Sequence, residues 1–128
     1  MTAGGHDIDA LSINSGVSYF STSGSSSPPG LSTPDDADIY AWDGDRFVRI
    51  WDASSNGLPA SADIDALDVV DTDHFIMSFG STNTNIPGLG AVQDEDLVEY
   101  NAGIWSVYFD GTIEGLTAGG NDIDAFGG

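Results

Sequence analysis

The sequence contains no cysteine and no lysine, and only Arg46 and Arg49 stand against 21 acidic residues. Without cysteine, disulfides, thiolate chemistry and Cys-based zinc sites are excluded. The shortage of basic groups leaves a formal net charge of −19 over 128 residues, which repels nucleic acid and anionic membrane surfaces and favours cationic partners. No apolar run approaches the ~18 residues needed to span a bilayer. Met1-Thr2-Ala3-Gly4-Gly5 also lack the basic and apolar regions of a secretion signal. The expectation is a soluble chain with no nucleic-acid and no membrane partner, any export signal having been removed or belonging to a longer parent. A convincing helical period is missing throughout.

What is present is enough for a folded core: 40% hydrophobic residues, with three Trp, four Tyr and six Phe. The acids are lopsided, 18 Asp against Glu95, Glu99 and Glu114. Aspartate suits turns, strand ends and hard-cation sites, where a short carboxylate is held near the backbone. An Asp-rich, Lys-free surface also suits high salt, where self-repulsion is screened.

The chain repeats itself. Asp7-Ile8-Asp9-Ala10-Leu11 returns as Asp63-Ile64-Asp65-Ala66-Leu67 and as Asp122-Ile123-Asp124-Ala125-Phe126, at offsets of 56 and 59 residues. Asp36-Ala37-Asp38-Ile39 matches Asp94-Glu95-Asp96-Leu97, Trp42 matches Tyr100 and Phe47 matches Trp105, all at an offset of 58. Residues 1–62 and 63–121 are therefore two copies of one unit, and 122–128 begin a third.

Within the first unit four β-rich runs, 8–13, 17–22, 39–42 and 47–51, are separated by turn residues, the pattern of an antiparallel meander. Asn14-Ser15-Gly16 and Asp43-Gly44-Asp45 read as tight hairpins, and residues 23–35 as a long loop. The second unit repeats this at 67–70, 75–79, 97–100 and 105–109, with residues 80–93 as its loop. Strict alternation places Phe47 and Trp51 on one face of the last strand and Val48 and Ile50 on the other. Sheets apolar on both faces need neighbours on both sides, which radially stacked four-stranded blades supply, whereas a sandwich or barrel prefers cleaner alternation. The predicted fold is all-β, two four-stranded antiparallel β-propeller blades per chain.

These units resemble the β-propeller-like repeats of bacterial proteins that carry an Asp-x-Asp-Ala strand, an Asp-Glu-Asp-hydrophobic strand and an aromatic-Asp-Gly end. Here those elements are residues 63–66, Asp94-Glu95-Asp96-Leu97 and Tyr108-Phe109-Asp110-Gly111. The resemblance implies a secreted or cell-surface parent and no particular activity.

Two blades do not close a ring that typically has four to eight. The expected partner is therefore the chain itself, in a cyclic homo-oligomer: a trimer of six blades first, with dimer and tetramer as rivals. Residues 122–125 read as a strand that helps close the ring.

In an up-and-down blade the first and third strands start at the same rim. That gathers Asp7, Asp9, Asp36, Asp38, Asp63, Asp65, Asp94, Asp96, Asp122 and Asp124 on one face, where calcium, which takes 6–8 oxygen ligands, would relieve their repulsion. The alternative is that each aspartate brackets a turn through backbone amides. His6 and His74 read as turn residues and the two arginines as partners of nearby aspartates. The aromatics read as core. The leading expectation is a non-catalytic scaffold or binding module. A carbohydrate-binding propeller would need exposed aromatics beside loops 23–35 and 80–93. A calcium-dependent hydrolase acting on phosphate esters would want the cationic donors this chain lacks.

Overall fold

The computed structural model describes residues 8–23, 28–31, 35–81, 83–116 and 123. It is all-β, with two four-stranded antiparallel meanders, each a propeller-like blade. The first blade runs β1 (Ile8–Asn14), β2 (Val17–Thr22), β3 (Ile39–Trp42) and β4 (Phe47–Trp51) in sequential order. After a 310 turn at Ser54–Asn56, the second contains β5 (Ile64–Asp71) and β6 (His74–Phe79), a small hairpin β7 (Thr84–Ile86) and β8 (Gly90–Val92), then β9 (Leu97–Asn101) and β10 (Ile104–Phe109). β9 pairs with β6, so the second blade has the order β5-β6-β9-β10 with the hairpin as a separate ribbon. The hairpin lies where the sequence predicts only a loop.

Turn chemistry fixes the registers. Ser15 and Gly16 (φ 53° and 80°) join Asn14 to Val17, and Ala102 and Gly103 (φ 49° and 90°) join Asn101 to Ile104. Two successive residues at positive φ make the tight turn whose twist matches that of the strands.

The two blades share two β-bulges at repeated places, and the second has a further register shift between Val69 and Asp71. The register slips between Ile8 and Ala10 and between Ile64 and Ala66, leaving Asp9 and Asp65 as the extra residues of their strands. On the outer strands Ile39 pairs with Trp51 while Tyr40 pairs with Arg49, and Leu97 pairs with Phe109 while Val98 pairs with Val107. Ile50 and Tyr108 are thus supernumerary. A bulge breaks the alternation of faces, which corrects the expectation for β4. Phe47 sits with Trp42, Phe20 and Leu11 on the face away from the second blade, whereas Trp51 turns toward that blade and meets Phe75, Tyr100 and Trp105 at 5.2–5.9 Å between ring centroids.

The main core lies between the two blades. Ala10, Ile39, Trp51 and Ala53 of the first pack with Ile64, Leu67, Val69, Phe75, Met77, Phe79, Val98 and Tyr100 of the second. The face of a blade turned toward the preceding repeat is called its front, and the opposite face its back. The innermost strands β1 and β5 are stitched by Ser12, whose hydroxyl accepts from the Val69 amide at 3.0 Å, and by Asn14, whose side-chain amide donates to the Val69 and Val70 carbonyls at 2.8 and 3.0 Å. Ser21 on β2 donates to the Ile64 carbonyl at 3.2 Å. The expected division at residue 62/63 falls at the turn leading into β5, where Ala62 donates to the Pro59 carbonyl at 3.0 Å.

Candidate functional site

Two features stand out once the repeat is laid on the fold: a rim of aspartates and a pair of unequal outer faces.

The aspartates serve two structural purposes. Asp38 is fully buried, and its Oδ2 accepts from the Asp35 amide at 3.0 Å while its Oδ1 accepts from the Ala53 amide at 2.9 Å. Asp96 repeats this, with Oδ2 accepting from Gln93 N and Oδ1 from Gly111 N, both at 2.9 Å. Each of these aspartates therefore ties the loop before the third strand to the end of the fourth. Burial pushes the Asp38 carboxyl above its ordinary range, against the pull of the Ala53 and Asp35 amides and the Arg49 charge.

Asp9, Asp36, Asp63 and Asp65 form the second group, drawn from both blades. The Asp63 carboxyl is pushed up to about 7, first by burial, then by its hydrogen bond with Asp9, then by the charges of Asp9, Asp65 and Asp36. Asp36 is raised as well, by burial and then by the Asp9 and Asp35 charges. The bulges at Asp9 and Asp65 explain why the second aspartate of the motif reaches this rim: an extra residue re-aims its side chain. These four are not among the described carboxylates whose oxygens lie within 4.8 Å of one another.

Asp94 is buried beside Glu95, whose Oε1 accepts from the Thr112 hydroxyl at 2.7 Å. That bond holds the Glu95 carboxyl below its ordinary range. Glu95 also packs against Gly111 so closely that a Cβ there would overlap its backbone carbonyl. Asp7, Asp122 and Asp124 lie outside the described residues, as does His6.

Among the described residues one carboxylate trio converges, Asp35, Asp38 and Asp52, with oxygens within 4.8 Å of one another. Asp35 and Asp52 are not on the predicted rim. This trio already holds a cation: Arg49 Nε lies 3.2 Å from Asp38 Oδ2 and its Nη1 3.9 Å from Asp52 Oδ2. A metal does not fit where the guanidinium sits. The pairing is the one expected for an arginine beside so many aspartates. His74 opens β6 instead of sitting in the turn, with Nε2 2.6 Å from Glu99 Oε2 across the sheet.

The unequal faces show when the two fronts are superposed through the repeat. On the second blade the front residues Ile64 and Leu67 are 0% and 1% exposed; their counterparts Ile8 and Leu11 on the first are 49% and 54% exposed. With Ser18, Phe20, Trp42 and Phe47 they line an open apolar depression of about 280 Å³. Trp42 and Phe47 there correspond to Tyr100 and Trp105, which on the second blade close over Trp51. Sequence alone shows those residue matches, but not which face each one occupies.

Neither loop 23–35 nor 80–93 contains an aromatic residue, and the three Trp side chains lie on blade faces. Comparison with models of protein families, with curated proteins and with solved structures finds no match to this chain.

Proposed function

We propose that this protein is a non-catalytic, self-associating propeller module in which chains join head to tail, the front of the first blade of one copy against the back of the second blade of another. The observation that carries the reading is the front of the first blade. Ile8, Leu11, Phe20, Trp42 and Phe47 occupy the positions that the second blade buries against its neighbour, yet two of them are half exposed. Apolar area of that kind is stabilised by removal from water at about 25 cal/mol per Å², and the surface that covers the corresponding positions on the second blade is the back of a blade. A joint between two different surfaces closes into a ring when the rotation allows. Three copies would supply six blades, within the usual four to eight. The product of such assembly is a rigid ring presenting its loops and its acidic rim to a partner.

Calcium belongs to this reading as the counter-charge of Asp9, Asp36, Asp63 and Asp65. The Asp63 carboxyl, pushed up to about 7 by burial and its acidic neighbours, marks the repulsion that a divalent cation would relieve.

Light scattering coupled to size exclusion tests assembly. The native chain is expected as a multiple of 13.3 kDa, and Trp42→Asp as a single chain of unchanged far-UV spectrum; a native monomer at millimolar concentration sinks the proposal. Calcium added to chelated protein is expected to raise the melting temperature, and Asp9→Asn with Asp63→Asn to remove that rise. An unchanged native melting temperature removes calcium from the reading.

A further inference from the structure

At the end of the joint away from Asp9 and Asp63, the turns that close β1–β2 and β5–β6 leave a cleft of about 230 Å³ between the blades. It is lined by Asn14, Ser15 and Tyr19 of the first blade and Val70, Asp71 and Thr72 of the second. Pockets for drug-sized ligands run to roughly 300–1,000 Å³, so this one has room only for a small group or the end of a side chain. The repeat does not make it twice. Val70 and Ile76 stand where the first blade has Asn14 and Tyr19, so the polar wall belongs to the first blade alone.

The hydrogen bonds already made fix what this lining can offer. The Asn14 side-chain amide has two hydrogens, and both are committed, to the Val69 carbonyl at 2.8 Å and the Val70 carbonyl at 3.0 Å. Its Oδ1 accepts from the Ser15 hydroxyl at 3.1 Å, which uses the one hydrogen of that hydroxyl. Toward a ligand, Asn14 and Ser15 are therefore acceptors. The Asp71 carboxylate accepts from the Asp73 amide through Oδ1 at 2.9 Å and has further lone pairs to give. Only the hydroxyls of Tyr19 and Thr72 can donate or accept. Val70 and the Tyr19 ring, which packs against the core between the blades, add an apolar edge.

We propose that this cleft binds a primary ammonium group on an alkyl stem, the chemistry shared by a lysine side chain and a polyamine. An ammonium carries three donors and no acceptor, the complement of a wall that accepts. It is charged at neutral pH, with a pKa of about 10.4, and the field of a chain of net charge −19 draws it in. Its stem lies along Val70 and Tyr19, as lysine stems lie along apolar surface elsewhere. An anion is repelled by Asp71. A sugar hydroxyl donates and accepts at once, so a sugar needs protein donors that only Tyr19 and Thr72 supply among these side chains. The chain contains no lysine, and Arg49 is held by Asp38 and Asp52, so the ammonium comes from another molecule. The cleft lies within one chain and does not depend on head-to-tail assembly.

The test uses the full chain and n-butylamine, titrated at about 0.15 M salt so that attraction beyond ~8 Å is screened, with backbone amide shifts followed by NMR. The amides of Ser15, Tyr19, Asp71 and Thr72 are expected to move together and to saturate in the millimolar range. Asp71→Asn, which keeps an oxygen for the Asp73 amide, is expected to weaken binding about fivefold, the size of an exposed ion pair. Asp45→Asn removes the same charge from an exposed turn of the first blade and is expected to change nothing. Shifts that never saturate, or an equal loss in both variants, would show attraction to net charge alone and overturn the site. Methyl glucoside moving these amides while butylamine does not overturns it as well, in favour of a polyol. A blocked tripeptide with a central lysine and spermidine are the two further arms. Tighter binding of the peptide identifies the source as a protein partner, and tighter binding of spermidine identifies it as a free polyamine; a failure of both to compete with butylamine overturns the proposal.

Discussion

Asp96 reproduces Asp38 bond for bond across 58 residues: each takes one backbone amide three residues upstream and a second fifteen residues downstream, at the end of the last strand of its blade. In both cases the upstream bond is returned, with the aspartate amide donating to the carbonyl of the residue whose amide it accepts, at 3.0 Å for Asp38 and 3.1 Å for Asp96. The aspartate of the third strand is therefore a clasp that closes a blade.

Opening the clasp is expected to be expensive, since hydrogen bonds to a charged acceptor contribute about 1.5–3 kcal/mol each and a buried amide left alone is costly. Asp96→Ala should lower the unfolding free energy by about 3 kcal/mol, read as an earlier urea midpoint. Asp96→Asn, which keeps one acceptor oxygen, should lose about half as much. Asp38→Ala should be worse than Asp96→Ala, because it also takes the nearer carboxylate from Arg49.

The rim predicts a pH dependence with a definite sign. A carboxyl raised to about 7 in the folded chain binds its proton more tightly there than when unfolded, so the stabilisation is full below about pH 4 and is lost as pH rises through 7. Without calcium, Asp63→Asn should flatten the fall in stability between pH 4 and 7.5 relative to the native chain and should be the more stable protein at pH 8. Chemical unfolding at four pH values in chelator measures it. A native-like slope in the variant would show that Asp63 is not the group responsible.

Trp51 is the aromatic centre of the joint between blades, buried against Phe75, Tyr100 and Trp105. Trp51→Ala is expected to cost about 3–5 kcal/mol, as for other buried aromatics. Ile50→Ala, at the partly buried bulge position beside it, is expected to cost about 1 kcal/mol. Denaturant midpoints at unchanged slope separate these outcomes from a change in the unfolded state.

The repeat made most of this fold legible. β-branched and aromatic runs punctuated by Gly, Asn and Asp mark the strands and turns, and the alignment of the two units pairs Trp42 with Tyr100 and Phe47 with Trp105. Three things were hidden. The hairpin Thr84–Ile86 and Gly90–Val92 has strands of three residues, too short for a period of two to register. The bulges leave no trace in a pattern of apolar and polar residues, so strict alternation puts Trp51 on the face of Phe47, whereas the structure turns the two to opposite faces. The carboxylates looked alike in sequence, although Asp38 and Asp96 are bound to amides while Asp9 and Asp63 share a hydrogen bond with each other; that difference depends on which backbone amides the folded loops bring near.

The supernumerary residues Ile50 and Tyr108 give each outer strand something like a reading frame. Up to the bulge, side chains are dealt alternately to one neighbour and the other; after it, the deal is reversed, which is how β4 hands Phe47 forward and Trp51 back. Replacing Ile50 leaves that order intact. Deleting it would remove the bulge and let the pairs Trp42–Phe47, Ala41–Val48, Tyr40–Arg49 and Ile39–Trp51 run in unbroken register, with Trp51 still turned toward the second blade, so a single missing codon at this position would do less harm than most substitutions in the core.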